Sequence, residues 1–101
     1  MPSIQFAIIG CGHAAAIHAA QIKRFGQLAA VCDINLTKGK IFAEKYGARF
    51  YPELKQLLKN EPTPDVVVIC TPNGLHCRQA IAAMRAGCHV LVEKPMALRV
   101  R

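Results

Sequence analysis

The sequence predicts an α/β architecture: a parallel sheet with helices on both faces. Three observations carry it. Apolar runs too uniform to have a solvent face alternate with stretches of helical period, glycines and prolines fall at the joins, and a glycine-rich turn follows the first apolar run. Strands that alternate with helices in this way form βαβ units, and such units give parallel strands with right-handed crossovers.

Each element follows in order. Residues 4–9 are apolar and end at Gly10-Cys11-Gly12, which marks a buried strand. Residues 13–25 are Ala-rich, with Ala14, Ile17, Ile22 and Phe25 near helical spacing and Gly26 as the terminator. Residues 28–32 give a second strand, closed by Asp33. Residues 36–46 read as a helix that stops at Gly47, and Phe50-Tyr51 as a short third strand. Pro52 fits the first turn of a short helix holding Leu54, Leu57 and Leu58. Pro62 and Pro64 break the chain before residues 66–70, the clearest strand, whose lack of alternation implies burial on both faces. Thr71-Pro72-Asn73-Gly74 is a turn. Residues 75–86 form a helix that offers Ala80, Ile81, Ala83 and Met84 for packing, Gly87 ends it, and residues 88–92 are a fifth strand before Glu93-Lys94-Pro95. No internal repeat, linker or low-complexity tract interrupts this order.

Composition narrows the class. The chain has 101 residues, 52% hydrophobic and 19% charged, enough for one compact domain and too apolar for disorder. Its longest apolar run, residues 66–70, falls far short of the roughly 18–20 residues of a membrane span. Met1 to Gly10 has no basic n-region, so a cytoplasmic protein is expected. The 5 cysteines are odd in number and never at C-x-x-C spacing, which fits that compartment. Cys70, His76 and Cys77 are the nearest approach to a ligand cluster; they lack a second pair, and no metal is expected. The 13 Lys and Arg against 6 Asp and Glu give a net charge of +7. These cations are scattered over several helices in runs of at most 2, with no aromatic interleaving. They read as solvated faces, and nucleic acid is not an expected partner.

Gly10-Cys11-Gly12-His13-Ala14-Ala15 matches G-x-G-x-x-A between a strand and a helix, with Asp33 at the end of the next strand, 23 residues after Gly10. The pattern has a mechanism. Gly10 allows the tight turn, Gly12 lets the backbone approach a pyrophosphate with no Cβ in the way, and Ala15 keeps the helix close to the sheet. His13 and Ala14 complete the cofactor-facing turn; His13 fills a variable slot, with no partner evident for its side chain. The phosphate sits on the positive end of the helix, and the Asp33 carboxylate accepts from a ribose diol. A negative charge there repels a 2′-phosphate, which favours NAD over NADP, while Lys38 and Lys40 temper the preference.

The turn, Asp33, the run Cys70-Thr71-Pro72-Asn73-Gly74-Leu75-His76 and the run Gly87-Cys88-His89-Val90-Leu91-Val92-Glu93-Lys94-Pro95 follow one another in register. In this the chain closely resembles the N-terminal nucleotide-binding domain of the glucose–fructose oxidoreductase / inositol dehydrogenase (Gfo/Idh/MocA) family, from residue 4 to about residue 98. T-P-N-x-x-H combined with G-x-x-V-x-x-E-K-P is the specific part. The resemblance implies a Rossmann-type doubly wound parallel sheet and an NAD(P)-dependent oxidoreductase acting on a sugar, nucleotide-sugar or cyclitol. It further implies that Thr71, Pro72 and Asn73 line the cofactor with His76 close by. Glu93 and Lys94 would reach the nicotinamide ribose and the substrate side, and Pro95 would hold their turn. Lys94 is the implied catalytic residue, its ammonium orienting the substrate hydroxyl and stabilising developing negative charge.

Measured against that family, the last strand of the sheet and a C-terminal α/β domain with the substrate pocket would be expected beyond residue 101. The expectation is therefore a fragment or a prematurely ended reading frame: residues 1–101 as a cofactor domain, inactive alone. Family enzymes usually associate through the absent part, so a homo-oligomer is implied for the whole protein. A non-catalytic nucleotide-sensing or interaction module is the alternative, and a basic nucleic-acid-binding domain ranks below it.

Overall fold

A computed structural model describes residues 3–60, 63–71 and 73–92, with residues 73–77 as backbone. The chain runs β1 (Ile4–Ile9), α1 (His13–Ile22), β2 (Gly26–Cys32), α2 (Leu36–Tyr46), β3 (Arg49–Tyr51), α3 (Leu54–Asn60), β4 (Val66–Ile69), α4 (Asn73–Arg85) and β5 (His89–Val92). All strand pairs are parallel, in the order β3-β2-β1-β4-β5. This is the order of the first five strands of a Rossmann sheet, which reverses direction beside β1.

Side-chain alternation along β1 splits the core in two. Ile8 faces one way, onto Ala15, Ala19 and Ile22 of α1 and Phe42 and Ala43 of α2. Ala7 and Ile9 face the other way, onto Leu57 of α3 and Ala83 of α4. The first two crossovers step outward to β2 and β3, and those after β3 step in the opposite sense. Helices on opposite faces are what a single crossover hand then requires.

Several boundaries depart from the sequence pattern, some by a single residue; α3 starts at Leu54, which leaves Pro52 before its first turn, and three others depart for a local reason. The first helix ends at Ile22, so Phe25 lies in the following turn at 66% exposed. It packs through Ala15, Ala19 and Ile22, and Ile17 is left 52% exposed. The close helix–sheet approach that Ala15 permits continues at Ala19, and the larger Ile22 is accommodated at the last residue of the helix. Gly26 opens β2 instead of merely stopping α1: a Cβ on it would strike the Ile4 carbonyl of the neighbouring strand. The fourth helix starts at Asn73, two residues earlier than the Asn-Gly turn signal suggests. First-turn N–H groups have no intrahelical partner, so turn-forming residues cost little there. On α4, Ala83 is fully buried while Ile81 and Met84 are largely exposed.

Candidate functional site

The reversal of strand order makes a crevice. From β1 the chain leaves toward β2 and from β4 toward β5, so the two carboxyl ends part and leave a cleft of about 280 Å³. Its lining includes Gly10, Gly12, Asp33, Ile34, Lys38 and Thr71.

Gly10 makes the turn. Its φ is +92°, and a Cβ there would lie 3.0 Å from the Cys70 carbonyl carbon and 3.0 Å from the Thr71 methyl. Its N–H donates to the Cys32 carbonyl at 2.7 Å, while the Cys70 N–H donates to the Ile9 carbonyl at 2.8 Å. The ends of β1, β2 and β4 are thereby tied together.

Gly12 is of another kind. Its backbone is extended, it caps α1, and among the described residues a Cβ on it would find only the Lys38 Nζ, 3.9 Å away. The first turn of α1 carries no acidic residue, and no side chain caps it. A positive helix end beside the cleft therefore remains available to an anion, with an ammonium beside it.

Asp33 sits half-buried at the end of β2. Its Oδ2 accepts from the Cys11 N–H at 2.8 Å and its Oδ1 from the Asn35 N–H at 2.8 Å. Each carboxylate oxygen retains acceptor capacity after one such bond. Asn35 caps α2, its side chain accepting from the Lys38 N–H at 3.0 Å, and that turn places Lys38 on the cleft. Ile34 stands 86% exposed at the rim, an apolar surface suited to a flat ring.

Cysteines 11, 32 and 70 line the same cleft. Burial, with the Asp33 charge next, pushes the Cys11 thiol up to about 12, and the same causes push Cys32 up to about 12. Both are protonated at neutral pH and behave as small apolar groups. Among the described residues, no group of three or more His, Cys, Asp or Glu could hold a metal ion.

Of the residues singled out from sequence, Gly10, Gly12, Asp33 and Thr71 come together at the cleft. His13 and Ala14 open α1, with His13 exposed. Asn73 and His76 lie on the first turns of α4. Pro72, Glu93, Lys94 and Pro95 fall outside the described residues. Sequence reasoning missed Ile34, which follows Asp33 directly, and Gln79, a lining residue on α4 that no motif marks.

A strand order that reverses at β1, a glycine turn feeding a bare helix end, and a carboxylate closing β2 together define a dinucleotide-binding domain of the Rossmann type. Residues 4–101 match the model of an oxidoreductase family with an NAD-binding Rossmann fold, and the chain belongs to this Gfo/Idh/MocA family. It is 39% identical over 98 residues to the D-glucoside 3-dehydrogenase of Escherichia coli K12, an overlap covering 94% of this chain and 28% of the relative. It superposes with a TM-score of 0.85 and 37% identity on the WlbA dehydrogenase from Chromobacterium violaceum in complex with NADH and UDP-GlcNAcA, over 98% of this chain and 31% of that one. Biliverdin reductase from Synechocystis sp. PCC 6803, in complex with biliverdin and NADP⁺, gives a TM-score of 0.82 at 34% identity, over 94% of this chain and 30% of that one. The chain thus spans under a third of the length of these proteins. Among the described residues, no helix is long and apolar enough to cross a membrane.

Proposed function

We propose that this chain is the cofactor domain of a longer NAD-dependent oxidoreductase acting on a hydroxyl of a sugar, nucleotide-sugar or cyclitol. The observation that carries the reading is the crevice itself: Gly12 leaves open the space a Cβ would fill, at a helix end bare of acid, with Asp33 on the rim. The D-glucoside dehydrogenase and the NADH and UDP-GlcNAcA complex of WlbA support the substrate class.

The residues present fit a dinucleotide. Gly10, Gly12 and the N–H groups of His13 and Ala14 would hold the pyrophosphate, Asp33 the adenosine ribose and Ile34 the adenine. Thr71, Pro72 and Asn73, with His76 nearby, would line the β4 side, and Glu93 the nicotinamide ribose. Nicotinamide, when bound, supplies the hydride acceptor. Lys94 would orient the substrate hydroxyl and stabilise its developing charge, with Pro95 holding the turn. The proton-accepting base and most substrate contacts would belong to the part of the relatives' length that this chain does not span, so these 101 residues would bind cofactor without turning over substrate. Self-association would run through that remainder too, and buried thiols such as Cys11, Cys32 and Cys88 accord with a cytoplasmic setting.

NAD is favoured over NADP because the Asp33 carboxylate repels a 2′-phosphate, and Lys38 lessens that penalty. A thermal-shift titration with NAD⁺, NADP⁺ and AMP tests both statements. Ligand at a hundredfold excess over Kd stabilises by about 2.7 kcal/mol. NAD⁺ should shift the melt more than NADP⁺, and Asp33→Asn, which keeps an acceptor and drops the charge, should narrow the gap. A folded chain that responds to no nucleotide would remove this reading in favour of a non-catalytic interaction module.

A further inference from the structure

The β4 side of the crevice contains a side-chain pair that the glycine turn and Asp33 do not explain. The Thr71 hydroxyl donates to the Gln79 side-chain carbonyl at 2.5 Å, across the turn from β4 into α4. Both residues are half-buried, and both line the cleft. Gln79 sits two turns into α4, and long helical side chains lean toward the helix N-terminus, which brings its amide back to the turn. The methyl of the same threonine borders the glycine turn, 3.0 Å from where a Cβ on Gly10 would stand. The Thr71 side chain thus spans two elements, its methyl beside the glycine turn on β1 and its hydroxyl bonded to α4. Loss of the Gln79 carbonyl would remove one restraint on χ1 of Thr71, and rotation about that bond would carry the methyl away from Gly10 and change the wall of the cleft.

We propose that Gln79 is a positioning residue for the dinucleotide: by accepting the Thr71 hydroxyl it fixes that side chain against Gly10 and shapes the β4 edge of the crevice. The assignment rests on the cofactor reading above and extends it to a residue outside every motif in the chain. Thr71 lies across the β1 turn from Asp33, so the part of the ligand concerned is the half beyond the pyrophosphate. AMP lacks that half and reports on the Asp33 edge alone.

The experiment compares NAD⁺ and AMP affinities by calorimetry for the wild-type chain, Gln79→Leu, Thr71→Val and the double variant. Circular dichroism melts establish that each is folded, and Gln79→Met replaces Gln79→Leu if the latter is not. Loss of one hydrogen bond predicts NAD⁺ binding weakened about fivefold to tenfold in Gln79→Leu, with AMP within about twofold. Adding Gln79→Leu to Thr71→Val should cost no further NAD⁺ affinity, because the residue acts through the threonine. Equal weakening of NAD⁺ and AMP, unchanged NAD⁺ affinity, or additive losses in the double variant would each overturn the assignment. A folded wild-type chain that binds neither ligand would instead remove the cofactor reading, and the role of Gln79 with it.

Discussion

The two edges of the crevice are built from different materials. On the β1–β2 edge the work is done by backbone: a positive-φ glycine, an uncapped helix end, and N–H groups of Cys11 and Asn35 aimed at one carboxylate. On the β4 edge it is done by side chains, a threonine and a glutamine meeting across a turn. A backbone edge tolerates many side chains provided a few glycines are kept. A side-chain edge depends on partners that must be matched to each other.

The largest effects should come from the two glycines of the turn, which differ in kind. Gly10→Ala forces a Cβ onto a positive-φ residue and against the Cys70 backbone at 3.0–3.1 Å. It should cost about 2–4 kcal/mol in urea denaturation. Among the described residues Gly12→Ala meets nothing but the end of Lys38, so stability should change by less than about 1 kcal/mol. NAD⁺ affinity should nevertheless fall tenfold or more, because the new methyl occupies the approach to the helix end. A Gly12→Ala chain that binds NAD⁺ normally would show that this edge is not the pyrophosphate site.

The same division explains what could be read from the sequence. β1 and α2 have the expected limits, α2 because Asn35 caps it and Gly47, at φ +70°, ends it. Gly10, Gly12 and Asp33 were legible because their chemistry is local and their spacing fixed by one βαβ unit. The inward face of α1 was legible only in part: Ile22 is buried as its spacing implies, yet Ile17 and Phe25 are exposed while Ala15 and Ala19 are buried, since proximity to the sheet selects for smallness there. Gln79 was illegible for a related reason. Its partner is eight residues away across a turn, and no period or propensity links the two.

Thiol titration offers a smaller effect. Cys11 and Cys32, both under the β1–β2 edge, have folded-state pKa values pushed up to about 12 from an ordinary value near 9, chiefly by burial. The folded value is the higher one, so the stabilisation is complete below about pH 9 and is lost as pH rises toward 12. Between pH 9 and 10 the two thiols together should cost about 2 kcal/mol. The readout is the difference in slope between wild type and Cys11→Ala/Cys32→Ala, since lysines and tyrosines titrate in both. Cys88, raised by burial on the opposite face, should add a dependence of the same sign in both proteins. Equal slopes in the two proteins would mean that the thiols under Asp33 are open to solvent.

The smallest effect tests whether the first edge depends on backbone alone. Asn35 does two things: its side chain caps α2 through the Lys38 N–H, and its own N–H donates to Asp33. Asn35→Ala removes the first and keeps the second. Loss of the cap should lower stability by about 1 kcal/mol in urea denaturation. AMP affinity should stay within about twofold, because the N–H that holds Asp33 belongs to the main chain and survives the substitution. A larger fall in AMP affinity at unchanged fold would mean that the capping side chain, through the turn that presents Lys38, shapes the adenosine edge as Gln79 shapes the other. The two edges would then differ in which residues they use, and no longer in the kind of structure they are made from.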